Sequence, residues 1–301
     1  MAVKTAGIAM ALLTLPAVAK LNLFLHIVGQ RADGYHNLQT LFQFIDFGDE
    51  LSFALRKDSE ITLSCTEPAL ETDDNLVLKA AKLLTEQSQQ SLPGIHIHIH
   101  KNLPFGGGLG GGSSDAATTL LALRHLWQLP LNDNELATIG LQLGADVPVF
   151  VHGQAAFAEG VGEHLQPAQP PCPWYLVIHP GVQISTPSIF KHPDLPRQHP
   201  PLEWPHWSWE NTSNDCEALV RRLYPEVAKA LDWLVEYAPS RLTGTGACIF
   251  GRFDNETDAR AALQRMPAQW TGFVARGLNE NPVCQQLRQA STVNLTNKTE
   301  V

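Results

Sequence analysis

The chain has 301 residues, of which 44% are hydrophobic and 17% charged, with 21 basic and 30 acidic side chains. This length allows roughly two domains with sizeable cores. The formal net charge of −9 argues against a protein that binds nucleic acid non-specifically. No apolar run reaches the roughly 18 residues of a membrane span.

The N-terminal stretch MAVKTAGIAMALLTLPAVAK imitates a signal peptide, with one early lysine, an apolar run and small residues at Ala17 and Ala19. Its apolar pattern continues past Lys20 into LNLFLHIVG, which predicts a strand rather than the polar start of a mature domain. The five cysteines are odd in number and contain no C-x-x-C spacing, which favours reduced thiols. We therefore expect a cytoplasmic protein.

Three further strands and one helix are predicted before the first glycine-rich segment. LQTLFQFIDFGDELSFALR predicts strand with a turn at Gly48–Asp49, EITLSC a short strand, and DDNLVLKAAKLLTEQ a helix capped by Asp73 or Asp74. Strict alternation makes GIHIHIHKNLP a strand, with His96, His98 and His100 on one face. No clustered Cys, Asp or Glu completes a metal site there, so solvated histidines are the favoured interpretation.

The segment PFGGGLGGGSSDAA follows that strand directly, with six glycines in the seven positions 106–112. Successive glycines allow several backbone N–H groups to converge on one anion and permit positive φ. Ser113 and Ser114 are predicted to cap the apolar helix that follows, whose free N–H groups and dipole favour phosphate. A strand, a glycine loop and a helix N-terminus together predict a phosphate cradle.

The spacing of the glycine loop argues against two other nucleotide-binding motifs. No lysine follows the glycines as a Walker A loop requires, and G-x-G-x-x-G is met only trivially, without the acidic residue that should end a second strand. A flexible hinge or tight turn is the structural alternative. Asp115, in the first helical turn, either points away from a bound phosphate or faces it across a divalent cation.

The remaining chain mixes strands and helices without regular alternation. NDNELATIGLQLG predicts a helix, and ADVPVFVHG, AAFAEG and WYLVIHPG predict strands or turns. The proline-rich stretch 191–210 predicts an irregular surface excursion. A helix near 215–236, the strand–turn–strand RLTGTGACIFGRF, the helix ETDARAALQRM and the strand GFVARGL then follow. Because neighbouring strands often lack an intervening helix, the pattern is α+β.

Three segments resemble the GHMP small-molecule kinases: the glycine loop, AKLNLFLHI and LTGTGACIFG. The segments GQRADGYHNLQTLFQFIDFGDEL, LGADVPVFVHGQAAFAEGVGE, HPGVQISTPSIF and SNDCE are similar to the narrower family of 4-diphosphocytidyl-2-C-methyl-D-erythritol kinases. This resemblance runs from about residue 15 to 285. It implies a two-domain α+β GHMP kinase fold with the active site in the interdomain cleft. The implied domains are an ATP-binding domain at 1–165 and a C-terminal domain at 166–287, with a disordered tail at 288–301.

The resemblance also implies an activity: ATP-dependent phosphorylation of the 2-hydroxyl of 4-diphosphocytidyl-2-C-methyl-D-erythritol, in the non-mevalonate isoprenoid pathway. ATP is the implied co-substrate and Mg²⁺ the implied metal, with its protein ligands unassigned. The expected partner is a small-molecule substrate, with no nucleic acid and no membrane, for a monomer or homodimer. Rival interpretations are a GHMP kinase acting on mevalonate, homoserine or a sugar, and a nucleotide-binding regulatory protein that has lost turnover.

Individual site residues follow from the resemblance. The resemblance implies that Asp146 is the catalytic base, whereas its position alone favours a capping aspartate. It also implies that Lys20 lies beside Asp146, whereas the position of Lys20 alone favours a strand-end lysine that extends to solvent. Tyr35 and Phe190 would supply aromatic faces to the cytidine, and His36 and Asn22 would contact the edge of the base. The other implied substrate-binding residues are Thr186, Gly244, Thr245 and Gly246, with Pro187 shaping the same wall. The implied ATP-binding residues are Pro104, Gly106, Gly107, Gly108, Leu109, Gly110, Gly111, Gly112, Ser113, Ser114, Asn75 and Leu76.

Overall fold

The computed structural model describes residues 13–88, 90–204 and 206–296. Its strands are β1 (Leu13–Gln30), β2 (His36–Leu55), β3 (Ile61–Cys65), β4 (Ile95–His100), β5 (Ala156–Gly160), β6 (His164–Pro167), β7 (Trp174–His179), β8 (Ser240–Leu242), β9 (Ile249–Phe253) and β10 (Thr271–Leu278). Its helices are α1 (Leu76–Gln87), α2 (Gly111–Leu126), α3 (Asp133–Leu141), α4 (Val147–His152), α5 (Thr186–Phe190), α6 (Glu217–Leu223), α7 (Pro225–Val235), α8 (Glu256–Gln264) and α9 (Pro282–Thr296). Within these residues no helix is long and apolar enough to cross a membrane.

Two sheets organise the chain, as the predicted α+β class requires. The first contains β1 to β6, with β2 at its centre between β1, β4 and β5. The second has the strand order β10-β7-β9-β8. Among the described residues β10 joins them into one continuous path by pairing with β2, Gly277 with Ile45 and Leu278 with Phe44. A cluster of buried side chains drawn from both sheets, including Leu21, Phe24 and Phe250, packs at this junction.

Strand β1 is buried from Ala17 to Ile27, as expected of a strand covered on both faces. Its pairing with β2 is interrupted between Val18 and Lys20 and again between Asn22 and Leu25. Such irregularities bend a strand and re-aim its side chains. The two polar residues of the implied site, Lys20 and Asn22, therefore lie on the short segment between two breaks in the ladder.

The predicted turn at Gly48–Asp49 is wrong, because β2 continues through both residues. Gly48 pairs with Val18, and a Cβ at this glycine would lie 2.2 Å from the carbonyl oxygen of Ala17. The close approach of the two strands, rather than a change of direction, explains the glycine. Asp49 is buried and accepts backbone N–H groups of Asn102 and Leu103 at 2.6 and 2.8 Å.

Three helical expectations also need correction. Residues 147–152 form α4, not a strand, with Pro148 in its first turn and apolar side chains buried all round. Asn75, rather than Asp73 or Asp74, caps α1 by accepting the N–H of Val77. The helix expected at 215–236 is split into α6 and α7, since Pro225 begins a new helix.

The ends of the chain differ in part from expectation. Strand β1 begins at Leu13, and residues 1–12 of the signal-peptide-like stretch lie outside the described residues. The tail expected to be disordered from 288 begins inside α9, which continues to Thr296. Val283 and Leu287, one helical turn apart, are buried against the core of the first sheet, which explains the helix there. Residues 297–301 lie outside the described residues.

Candidate active site

Lys20 and Asp146 form an ion pair, with 3.1 Å between Nζ and Oδ2. The lysine is almost fully buried, whereas 31% of the aspartate side chain is exposed. Asp146 occupies the N-cap position of α4 but makes no capping hydrogen bond with its side chain. The capping interpretation of this aspartate is therefore wrong, and its carboxylate faces a lysine and a cavity instead.

The ammonium group of Lys20 has several partners besides Asp146. Its Nζ donates to Asn22 Oδ1 at 2.6 Å and to the carbonyl oxygen of Gly108 at 3.2 Å, and lies 5.2 Å from the centroid of the Phe42 ring. A buried ammonium needs such partners because burial without them is costly. The contact with Gly108 joins the cation directly to the glycine loop, and the expectation of a solvated strand-end lysine is wrong.

Asn22 lies beside Lys20 and not beside the residues predicted to contact the base. Its Oδ1 accepts from Lys20, its Nδ2 donates to Thr40 Oγ1 at 2.9 Å, and its backbone N–H donates to Thr243 Oγ1 at 3.0 Å. These bonds occupy both ends of the amide. The structure thus places the Asn22 amide against Lys20, at the end of the site that holds Asp146, and its contact with the base stays a prediction.

Two adjoining cavities extend from this ion pair. The first, of about 280 Å³, contains the ion pair itself. The second, of about 560 Å³, contains Tyr35 and His36 and shares Leu38, Thr186 and Phe190 with the first. The predicted residues lining the first cavity are Lys20, Asn22, Gly108, Ser113, Asp146, Thr186, Phe190, Gly244 and Thr245. A continuous cleft thus joins a charged end to an aromatic end.

The glycine loop runs along the charged end and is fastened to both sheets. The backbone N–H of Lys20 donates to the carbonyl of Leu109 at 2.9 Å, and the N–H groups of Ala247 and Cys248 donate to Gly106 and Gly107, each at 3.1 Å. A loop fixed by these bonds differs from the flexible hinge that was the structural alternative. It leaves the N–H groups at the start of α2 as candidate anion donors.

Gly108 and Gly110 show why side chains are excluded from the loop. Both have positive φ, at 74° and 73°. A Cβ at Gly108 would lie 2.5 Å from the carbonyl oxygen of Thr243, and one at Gly110 would lie 3.1 Å from the Lys20 side chain. Gly110 is the residue that precedes the first turn of α2. Any side chain at Gly110 would meet the side chain of Lys20.

Gly110→Val should weaken ATP binding at least tenfold, because the branched side chain intrudes between the loop and Lys20. The positive φ also makes the variant less stable, so stability alone does not separate a nucleotide loop from a tight turn. Calorimetric titration of folded variant with ATP makes that separation. Gly29→Ala is the matched control, since a Cβ there meets nothing closer than 4.0 Å. An unchanged Kd for ATP in the folded Gly110 variant would favour the tight-turn interpretation.

The two serines lie inside the first turn of α2 and do not cap it. The residue at the cap is Gly110, and no side chain makes a capping bond. Ser114 is fully buried and donates to the carbonyl of Val18 at 2.7 Å, which fastens α2 to β1. Ser113 lines the first cavity. Of the two, only Ser113 is placed to meet a ligand in the cleft.

Asp115 points beneath the loop, into a buried cluster with Lys101 and Asp49. Lys101 Nζ donates to Asp115 Oδ2 at 3.0 Å and also to Asp49 Oδ2. The other carboxylate oxygen of Asp115 has no hydrogen-bond partner among the described residues, whereas both oxygens of Asp49 accept hydrogen bonds. One lysine faces two carboxylates, so Asp115 is the member that carries a proton most readily. Burial, and next the proximity of Asp49, raise the pKa of Asp115 to about 7 against the lowering effect of Lys101.

Asp115→Asn should therefore stabilise the protein at pH 8 and not at pH 5. A carboxyl whose pKa is higher in the folded than in the unfolded chain favours folding at low pH, and that contribution is lost as pH rises from about 4 through about 7. Asparagine is uncharged throughout, so we expect the variant to gain roughly 1–3 kcal/mol over the wild type at pH 8. Urea unfolding at both pH values measures the difference. If the variant had a lower free energy of unfolding than the wild type by the same amount at both pH values, Asp115 would be ionised and paired with Lys101.

The second cavity brings together three of the predicted substrate residues. Tyr35 is 65% exposed on the loop that follows β1. His36 and Phe190 face each other with ring centroids 5.4 Å apart at an interplanar angle of 27°. Thr186, at the start of α5, bonds Thr245 through their hydroxyls at 2.9 Å and so joins this cavity to the turn at 243–246. The second cavity is thus lined by three ring side chains, those of Tyr35, His36 and Phe190.

Several predicted residues do not reach the cleft. Both polar groups of the Asn75 side chain are used locally, by the N–H of Val77 and the carbonyl of Leu70, which supports its capping interpretation. Leu76 lines neither cavity, although it lies close to the glycine loop: a Cβ built at Gly112 would be 3.5 Å from Leu76 Cδ1. Leu109 is buried in the junction core. Gly246 lines neither cavity, and a Cβ there would be 3.0 Å from Leu242.

Two further residues that contact the site, Asn214 and Arg197, were not predicted from the sequence. Asn214 donates to the carbonyls of Leu242 and Gly244, both at 2.8 Å, and thereby supports the turn that lines the first cavity. Arg197 donates to His36. Asn214 belongs to the family-like segment SNDCE, for which the sequence predicts no role. Arg197 lies in the proline-rich stretch 191–210, which the sequence predicts to be irregular surface.

The three histidines of β4 have ordinary polar partners or solvent. His96 bonds Thr62 and Ser64 on β3 at 2.8 and 3.1 Å, and His98 bonds Ser64 at 2.8 Å. His100 is exposed. These contacts across two parallel strands account for the alternating histidines.

Comparisons with known proteins agree with this geometry. Residues 75–154 match the family GHMP kinases N terminal domain, and residues 201–272 match GHMP kinases C terminal. The chain is 55% identical over 281 residues to 4-diphosphocytidyl-2-C-methyl-D-erythritol kinase of Marinobacter nauticus, covering 92% of this chain and 98% of that protein.

Solved structures give the same result. A crystal structure of 4-(cytidine 5'-diphospho)-2C-methyl-D-erythritol kinase has a TM-score of 0.78 at 31% identity, covering 88% of this chain and 99% of that one. Methanococcus jannaschii mevalonate kinase has a TM-score of 0.65 at 16% identity, covering 89% and 98%. The second likeness, at so low an identity, concerns the fold alone.

Proposed function

The chain belongs to the 4-diphosphocytidyl-2-C-methyl-D-erythritol kinases of the GHMP kinase family, and from this membership we propose the part that each residue plays in the reaction. The enzyme transfers a phosphoryl group from ATP to the 2-hydroxyl of 4-diphosphocytidyl-2-C-methyl-D-erythritol. One observation supports this above the others: the Lys20–Asp146 pair lies at the charged end of a cleft whose other end is aromatic.

Asp146 is the group that accepts the proton of the substrate hydroxyl. As that proton leaves, the oxygen bonds to the γ-phosphorus of ATP and the bond from this phosphorus to the bridging oxygen of ADP breaks. Phosphoryl transfer of this kind depends mainly on positioning and on stabilisation of charge. Lys20, fixed by Asn22 and Gly108, supplies a positive charge beside both the aspartate and the transferred group.

Mg²⁺ is part of the proposal, with few protein ligands. Among the described residues no three His, Cys, Asp or Glu side chains cluster as a metal site. Mg²⁺ usually binds one or two protein oxygens together with the phosphates of the substrate. Ser113 and Asp146 are the residues that fit, since both line the first cavity. When bound, the ion neutralises charge on the phosphates.

The cytidine end of the substrate is assigned to the second cavity. The ring of Tyr35 and the ring of Phe190 both line it, so a pyrimidine can contact aromatic faces there. Binding energy from this unreacting part of the substrate holds the hydroxyl in line at the other end of the cleft. Bare methylerythritol phosphate should therefore be a poor substrate.

Tyr35→Ala should raise KM for the cytidine substrate about 5- to 150-fold and leave KM for ATP unchanged. The range corresponds to the loss of one stacking contact, worth about 1–3 kcal/mol. Steady-state kinetics with each substrate varied in turn measures both constants. Tyr35→Phe, which keeps the ring, is the matched control and should resemble the wild type. Equal losses for both substrates would remove Tyr35 from the cytidine site.

We also propose a cytoplasmic location and a monomer or homodimer. All five cysteines are free in the structure, as expected of a reducing compartment. Light scattering on the purified protein measures the oligomeric state.

The function itself is tested by ADP release: it should require both ATP and the cytidine substrate. A regulatory protein that had lost turnover would bind ATP without releasing ADP.

A further inference from the structure

Arg197 has an unusually complete set of contacts for a residue in an irregular segment. Each of its five N–H donors has an acceptor of its own. The acceptors are His36 Nε2 at 3.0 Å from Nε, the carbonyls of Pro193 and Leu195 at 3.3 and 2.9 Å from Nη1, and those of Phe190 and His192 at 3.2 and 2.7 Å from Nη2. The guanidinium is therefore fixed in one position, with Nε directed at the histidine.

This contact determines which ring nitrogen of His36 carries a proton. A guanidinium donates hydrogen bonds and cannot accept one, so Nε2 of the histidine must present its lone pair. A neutral imidazole with an acceptor at Nε2 has its proton at Nδ1. The doubly protonated form would set two donors against each other. In agreement, burial and then the charge of Arg197 lower the pKa of His36 below its usual value.

The opposite edge of His36 is available to a ligand. The side chain lines the second cavity, next to Tyr35 and Phe190. Among the described residues Nδ1 has no hydrogen-bond partner, and it is not one of the buried unpaired atoms. His36 therefore offers the cavity a donor of fixed identity, Nδ1–H, beside the rings of Tyr35 and Phe190.

We propose that Arg197 is a positioning residue that sets the base specificity of this kinase by holding His36 in the Nδ1–H form. This inference rests on the proposed function, in which the cytidine occupies the second cavity. Cytosine has a lone pair at N3, which accepts a hydrogen bond from Nδ1–H. Uracil has an N–H at the same position, and two opposed donors leave both groups unpaired, which is the kind of mismatch that polar sites reject strongly.

The same arginine also joins two walls of the cavity. Its Nη2 donates to the carbonyl of Phe190, the last residue of α5, while Nε holds His36 at the start of β2. A merely structural arginine would do no more than satisfy carbonyls at the end of this helix. Losing that role would lower stability without changing the choice of base. Selectivity and the position of the proton therefore distinguish the two roles.

The first measurement needs no substrate. In protein labelled with ¹⁵N-histidine, long-range ¹H–¹⁵N spectra at pH 7.5 report the tautomer of His36. We expect Nδ1–H in the wild type and in Arg197→Lys, since lysine also only donates. In Arg197→Met we expect a mixture containing Nε2–H, with a higher His36 pKa. An Nε2–H tautomer in the wild type would overturn the inference.

The second measurement is the ratio of kcat/KM for the cytidine substrate to that for its uridine analogue. We expect about 100-fold or more in the wild type and a ratio at least tenfold smaller in Arg197→Met. Arg197→Lys should keep most of the preference and serves as the alternative if the methionine variant does not fold. Arg222→Met is the matched control, because Arg222 contacts Asp194 of the same segment and not His36.

The outcomes separate the two proposals. A ratio unchanged in Arg197→Met, with the tautomer altered, would contradict the specificity role while leaving the kinase activity intact. If the wild type phosphorylated neither substrate, the proposed function would be wrong and the specificity role would be wrong with it. The spectrum would still decide the tautomer.

Discussion

Asp146→Asn should lower kcat by roughly 10²–10⁴ and leave the Kd of ATP and of the cytidine substrate nearly unchanged, because it removes a positioned base and little else. The Asp146 side chain is 31% exposed in the cleft, and its ion-pair partner is Lys20, at 3.1 Å. Asparagine keeps the shape and can still contact the substrate, but it cannot take up the proton of the hydroxyl. Single-turnover kinetics and calorimetric titrations measure the two quantities separately.

The matched control for this variant is Asp133→Asn. Asp133 is also an aspartate in an ion pair, 2.6 Å from Arg124, but it lines neither cavity. We expect wild-type kcat from it. If folded Asp146→Asn protein turned over at the wild-type rate, Asp146 would not be the base.

Lys20→Met should lower kcat by roughly 10²–10³, the usual effect of removing one group that stabilises charge in the transition state. Methionine fills a similar volume, so the packing against Phe42 is largely kept. What is lost is the ammonium that contacts Asp146, Asn22 and the carbonyl of Gly108. Thermal unfolding checks that the variant is folded, and kcat at saturating substrates measures the effect.

A double variant gives the sharper test of Lys20. If the lysine and Asp146 act as one unit, Lys20→Met combined with Asp146→Asn should be little worse than the worse single variant. Lys82→Met is the control for substituting an ion-paired lysine, since Lys82 pairs with Asp73 on the surface of α1. Fully multiplicative losses would mean that the two residues act independently.

Local sequence signals predicted the regular elements well where one period dominates. The alternation in IHIHIH gave β4, and the apolar run after Lys20 gave most of β1. The errors at Gly48 and at residues 147–152 reflect packing against segments distant in the chain. Gly48 is a glycine because Ala17 passes close to it, and residues 147–152 are helical although their apolar run is equally typical of a strand. Neither fact can be obtained from a local pattern.

The site was predictable as a set of residues but only in part as an arrangement. The resemblance implied that Lys20 lies beside Asp146, and in the structure their Nζ and Oδ2 atoms are 3.1 Å apart. The contact between Asn22 and Lys20 was not predicted, because it depends on an irregular part of β1 that brings two residues of one strand together. Arg197 was missed because its five acceptors are mostly backbone carbonyls, which leave no signature in the sequence.

The most direct test of the central assignment is a competition among acceptors. Purified enzyme is given ATP and Mg²⁺ with 4-diphosphocytidyl-2-C-methyl-D-erythritol, mevalonate or homoserine, and the products are analysed by ³¹P NMR. We predict ADP and a new phosphomonoester on the 2-hydroxyl with the cytidine substrate, at a kcat/KM far above that for the other two. Faster phosphorylation of mevalonate or homoserine, or ADP release without phosphate on the 2-hydroxyl, would contradict the assignment.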